Sequence, residues 1–115
     1  IVVIEAPWKA ALRPYHKQKL AFILANLRSF ALEQAARGVA VRHVVARGSY
    51  GEALREMAAE LGPLRMMEAA ERELREDVAP LVREGGLEVL PHEGWLTTPQ
   101  DFRAAAPEGR GWRMD

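Results

Sequence analysis

Four short apolar runs recur along the chain, each followed by a segment whose apolar residues return every three or four positions. The runs are I-V-V-I-E at Ile1–Glu5, V-A-V-R-H-V-V-A at Val39–Ala46, L-R-M-M-E at Leu64–Glu68 and L-E-V-L at Leu87–Leu90. A β-branched run with little alternation is that of a strand buried on both faces. The resulting order, β-α-β-α-β-α-β-α, implies a mostly parallel sheet with helices on its faces and right-handed crossovers. The expected fold is therefore α/β, a three-layer α/β/α arrangement of Rossmann-like type. A chain of 115 residues makes one domain and can bury a core without staples.

The punctuation supports that order. Pro14 suits a first helical turn, where its missing N–H costs nothing. Leu20, Ile23, Leu24, Leu27, Phe30 and Ala31 then recur at helical spacing and are expected to face inward, until Gly38 stops the helix. Ser49-Tyr50-Gly51-Glu52 has the form of a capping box, and the helix it opens ends at Gly62-Pro63. A third helix is expected from about Ala70, with Leu74, Val78, Leu81 and Val82 inward and Gly85-Gly86 closing it. Pro80 lies within it, and an interior proline costs about 3 kcal/mol, so a kink or restart is expected there. Thr98-Pro99 reads as an N-cap followed by a first helical residue.

Composition excludes more than it selects. Sixteen basic residues balance sixteen acidic ones, so global charge points to neither nucleic acid nor an anionic membrane. No cysteine is present, which rules out disulfides and thiolate-held metal within this chain. No apolar run approaches membrane-spanning length, no signal peptide is visible, and the simplest location is the cytoplasm. The chain opens inside an apolar run without a methionine, as expected of a longer polypeptide whose start lies upstream. Nucleotide-binding glycine loops, the nucleophile elbow and the H-E-x-x-H zinc motif do not occur, and no catalytic constellation is legible. A binding domain is the better expectation.

In open parallel sheets ligands sit beyond the carboxyl ends of the strands. Here those ends are Glu5–Lys9, Arg47–Ser49, Glu68–Glu71 and Pro91–Trp95. All three lysines fall between Lys9 and Lys19, at a helix start whose dipole makes each cation unfavourable by about 0.3–1 kcal/mol. Trp8 is placed to stack on a flat ring, and the cations to hold an anion; the plain alternative is a solvated basic turn with Trp8 covering the core edge. His16 reads either as a ligand contact or as a cap. Glu68 and Glu71 suit a first helical turn, or else accept a hydrogen bond from a ribose or a ring N–H. His43 is expected to be satisfied in place within its strand. His92-Glu93 is too small a pair to argue a metal.

The run Y-H-K-Q-K-L-A-F-I-L-A-N-L-R-S-F-A, Tyr15–Ala31, followed by G-V-A-V-R-H-V, Gly38–Val44, resembles the photolyase-related proteins, the bacterial iron–sulfur cryptochromes and 6-4 photolyases. L-R-M-M-E-A-A-E-R, Leu64–Arg72, is similar to their strand-E-P-G-E-W-R segment. L-E-V-L-P-H-E-G-W-L-T-T-P-Q-D-F, Leu87–Phe102, is similar to their V-E-V-L-P-x-x-x-F-L-x-S-x-x-E-F segment. The resemblance implies that residues 1–105 form an N-terminal α/β domain, as a fragment lacking a preceding G-D-Q-L strand. Residues 106–115 would lead as a linker to a helical domain, outside this chain, holding FAD, a 4Fe-4S cluster and the DNA surface. In that family the α/β domain binds a ribityllumazine antenna, and the parent activity is DNA photolyase, so this chain is not expected to be catalytic by itself. The implied pocket residues are Glu5, Trp8, Lys9, Leu12, His16 and Lys17, with Glu68 at the next strand end. Lys9 stands where the family pattern suggests an acidic residue, and Leu12 where it suggests tyrosine. A second reading is a stand-alone α/β nucleotide-binding module of universal-stress type, or an interaction module; the phosphate loop of that type is not in the sequence.

Overall fold

Each of the four expected strands forms, and each is four residues long: β1 Val2–Glu5, β2 Arg42–Val45, β3 Leu64–Met67 and β4 Leu87–Leu90. The computed structural model describes residues 1–12, 15–94 and 97–105, without the side chains of Ala10, Leu12, Pro99 and Phe102. The helices are α1 Pro7–Leu12, α2 Lys17–Ala36, α3 Tyr50–Leu61, α4 Arg72–Arg83 and α5 Pro99–Ala105. No helix among the described residues is long and apolar enough to cross a membrane.

Pairing is parallel throughout. β1 runs beside β2 with Val2 opposite Arg42, and β3 beside β4 with Leu64 opposite Leu87. The strands form two separate two-stranded ladders, where a single sheet was expected. α3 touches both β1 and β3, and so joins the two ladders. The main core is Val78, Leu81 and Leu87, with Leu54, Leu64, Met66 and Leu74 packed around it. It lies where α3 and α4 cover β3 and β4.

Several turn and cap expectations are met. Ser49 accepts from the Glu52 N–H at 3.2 Å while Glu52 accepts from the Ser49 N–H at 3.1 Å, completing the capping box. Thr98 caps α5 by accepting from the Asp101 N–H at 3.1 Å. Gly38, at φ 82°, follows the end of α2 in the left-handed conformation that glycine adopts without a Cβ penalty.

Three expectations change, and one lies outside the described residues. Glu5–Leu12, expected as a strand end and loop, contains α1: Pro7 supplies a preset first helical φ, and Lys9-Ala10-Ala11-Leu12 are strong helix formers. α2 starts at Lys17 behind His16; Pro14, expected in its first turn, lies outside the described residues. α4 runs through Pro80 as one helix, with Val78 and Leu81 on either side buried in the core. That tertiary packing overrides the local proline penalty. On α2 only Ala31 is buried; Leu20, Leu24 and Leu27 are half-covered, and Ile23 and Phe30 are exposed. The helix packs on β1, and a two-stranded ladder is too narrow to cover its whole apolar stripe.

α3 and α4 meet closely at Gly51. Its N–H donates to Asp77 Oδ2 at 3.0 Å, and a Cβ there would lie 2.5 Å from the Asp77 carbonyl oxygen. Gly51→Ala should therefore force the helices apart and destabilise the fold by about 1–3 kcal/mol. Chemical denaturation checks this; an unchanged midpoint would show that the crossing relaxes freely.

Candidate functional site

A cavity of about 370 Å³ lies beyond the carboxyl ends of the strands, lined by Trp8, Lys9, Tyr15, Ser49, Tyr50, Glu73, Leu74 and Asp77. The lining comes from four places. Trp8 and Lys9 sit on α1, directly after β1. Tyr15 precedes α2. Ser49 and Tyr50 open α3 after β2. Glu73, Leu74 and Asp77 belong to the first half of α4, after β3. The chain passes from β1 to β2 in one ladder, then through α3 to β3 and β4 in the second. In open α/β folds, ligands sit in crevices beyond the carboxyl ends of the strands.

The walls are aromatic. Trp8 and Tyr50 pack edge to face, with ring centroids 6.3 Å apart and planes at 61°. The Trp8 indole N–H is buried and has no hydrogen-bond partner among the described residues. A buried donor left unpaired costs roughly 1–3 kcal/mol, so an acceptor there would be strongly favoured. Lys9 forms a hydrogen-bonded ion pair with Glu71, which precedes α4, and its ammonium lies 5.7 Å from the centre of the Tyr50 ring. Glu71 holds the Lys9 ammonium above the ordinary lysine range, with burial opposing. Burial pushes the Tyr50 phenol up, against the pull of Lys9. At neutral pH the cavity thus offers a fixed cation and a neutral phenol, with the buried indole N–H of Trp8 in its wall.

The residues expected at the site divide. Trp8 and Lys9 line the cavity. Glu5 does not; it is 2% exposed and takes a bidentate contact from Arg28 of α2 at 2.7 and 2.9 Å. His43 of β2 lies 2.8 Å from the same carboxylate, satisfied in its strand as expected. His16 caps α2, its Nδ1 accepting from the Gln18 N–H at 3.3 Å. Lys17 is exposed at the first residue of that helix, and neither His16 nor Lys17 lines the cavity. Glu68 is exposed, in a shallower groove beside Met66, Arg75 and Val89. Leu12 ends α1, with its side chain outside the described residues.

Sequence reasoning missed Tyr50, Leu74 and Asp77 as cavity residues. For Tyr50 a signal existed. A capping box immediately after a strand fixes its second residue at the mouth of the sheet, so an aromatic there faces the crevice. Leu74 was assigned to the core, and Asp77 carried no local signature.

The family model for deoxyribodipyrimidine photo-lyase-related proteins matches residues 1–115, the whole chain. Neither a curated protein nor a solved structure matches it.

The Arg28 guanidinium foremost, and His43 with it, hold the Glu5 carboxyl below the usual glutamate range, against the opposing effect of burial. A group with a depressed folded-state pKa stabilises fully above the ordinary glutamate range and loses that contribution as pH falls through its lowered value. Glu5→Gln should cost about 1–3 kcal/mol at pH 7, with the deficit against the parent shrinking in strong acid. Paired melting curves at neutral and acidic pH check this; an equal deficit at both would mean that shape, not charge, is what Glu5 contributes.

Proposed function

Because this chain belongs to the deoxyribodipyrimidine photo-lyase-related family, we propose that the cavity at the strand ends holds a flat antenna chromophore of ribityllumazine type. When bound, such a group absorbs light and passes the excitation to a flavin held elsewhere. On this reading the FAD and a 4Fe-4S cluster sit in a helical domain of the same polypeptide, outside residues 1–115. That domain is this chain's partner and its route to DNA, in light-driven repair or light sensing. Within the family the subtype is that of the iron–sulfur cryptochromes and 6-4 photolyases.

The observation that carries the reading is the unpaired indole N–H of Trp8 in an aromatic wall. A conjugated bicyclic ring bearing carbonyl oxygens fits that wall. Tyr50 and Trp8 supply faces and edges for it, and the indole N–H supplies the donor that a ring carbonyl accepts. Lys9 spends one ammonium hydrogen on Glu71 and keeps others for a carbonyl or a ribityl hydroxyl. A volume of about 370 Å³ lies within the usual range for small-molecule sites.

Purified intact protein should carry a near-ultraviolet to blue absorption band additional to that of flavin. Trp8→Phe, which keeps a ring and removes the donor, should weaken chromophore retention about tenfold, the equivalent of one hydrogen bond of about 1.4 kcal/mol. Lys17→Glu, away from the cavity, should leave retention unchanged. A flavin-only spectrum, or equal retention by Trp8→Phe, would sink the reading; tight ATP binding without chromophore would favour a nucleotide-binding module.

A further inference from the structure

α2 is apolar on two opposite sides. Toward β1 it turns Leu20, Leu24, Leu27 and Ala31, which are half-covered or buried. On the opposite side Gln18, Phe22, Ala25, Ser29, Leu32 and Ala36 follow one another at alternating steps of four and three, the spacing of a coiled-coil seam. Every residue of that seam is exposed, Phe22 at 68% and Leu32 at 72%. A helix face that meets only water normally carries charge. The charged residues of α2 are Lys17, Lys19, Arg28 and Glu33, and all lie off the seam.

The seam is complementary to itself. Laid antiparallel to a second copy, with a two-fold axis at the level of Leu27, it brings Phe22 against Leu32 of the other helix. The same axis sets Ala25 against Ser29 and Gln18 against Ala36, so one operation satisfies every pair. The bulky residues meet at the two ends of the contact, and the small ones in the middle let the backbones approach. At 1.5 Å per residue the seam is about 27 Å long.

The flanks agree with that arrangement. Lys19, Asn26 and Glu33 share one edge of the seam, and in an antiparallel pair like edges meet. Lys19 of each copy then reaches Glu33 of the other, and the two Asn26 carboxamides face each other at the axis, where each can donate and accept. On the other edge Arg28 of each copy nears the axis, its charge answered by Glu5 of its own chain. Parallel pairing would leave Lys19 facing Ala21 and would ask Arg28, already held by Glu5, to serve Glu33. Antiparallel helix dipoles add to the preference.

We propose that the outer face of α2 is a homodimer interface, two copies of this chain packed antiparallel along the seam from Gln18 to Ala36. One helix pair is a small interface, so the dimer is reversible and its population depends on concentration. None of the seam residues lines the cavity, and the proposal does not rest on the antenna reading.

Sedimentation across the micromolar range, on the protein expressed from its own full gene, tests this. The parent should pass from monomer to dimer as concentration rises. Leu32→Glu should weaken association about a hundredfold, because each dimer would bury two unpaired carboxylates. Lys19→Glu and Glu33→Lys should each weaken it about threefold to tenfold, and the two together should restore it. Far-ultraviolet circular dichroism should show these surface variants as helical as the parent. A parent that stays monomeric throughout the range would overturn the proposal. A dimer indifferent to Leu32→Glu would overturn this interface, and a double variant no tighter than the single ones would overturn the antiparallel pairing. These readouts need no chromophore, so their failure is distinguishable from failure of the proposed function.

Discussion

A single buried carboxylate ties three elements together. Glu5 ends β1, Arg28 lies midway along α2, and His43 belongs to β2, so one side chain fixes helix to strand and strand to strand. Burying a carboxylate is costly unless it is paired and hydrogen-bonded, and here both oxygens are engaged. The arrangement matters because the apolar contact of α2 is modest: Phe22 is 68% exposed and Leu32 72%. Weak apolar seating leaves the position and roll of α2 poorly determined, and a bidentate guanidinium contact defines both. The N-terminal end of α2 in turn carries Tyr15 to the cavity. Glu5 therefore shapes the site without entering it.

The crowding of lysines near a helix start has separate local explanations. Lys9 is not on α2 at all; it belongs to α1 and joins the cavity wall to the entrance of α4 through Glu71. Lys19 lies in the first turn of α2, with its ammonium 5.8 Å from the centre of the Tyr15 ring. A cation held near an aromatic face recovers part of what the dipole costs. Lys17 sits in solvent, where screening makes the dipole penalty small. His16 turns the same penalty around, because its ring nitrogen accepts from a backbone N–H of the first turn.

Periodicity and punctuation made the α/β class, the strand positions and most caps legible, because those arise from interactions between residues a few positions apart. Ser49 with Glu52 and Thr98 with Asp101 are of this kind. The features that escaped depend on distant partners. Pro80 stays within a helix because Val78 and Leu81 are held by a core that includes Leu87 of β4. Glu5 was expected at a ligand because it ends a strand beside a conspicuous Trp-Lys pair. Its true partners, 23 and 38 residues away, are invisible to a local reading. Asp77 reaches the cavity rim by the same long route, through the close crossing of α3 and α4 at Gly51.

That crossing also connects the site to the sheet. Trp8, Lys9 and Tyr50 are anchored to the β1–β2 ladder, while Glu73, Leu74 and Asp77 ride on α4 above the β3–β4 ladder. The width of the cavity is therefore the spacing between the two ladders, measured at their carboxyl ends. Among the described residues, α3 resting on both β1 and β3, the Gly51–Asp77 contact and the Lys9–Glu71 pair are what set that spacing. Two of these are contacts at the cavity rim, and Lys9 and Glu71 are both partly in solvent. These contacts thus bear on how rigidly the aromatic wall of Trp8 and Tyr50 faces Glu73, Leu74 and Asp77 of α4.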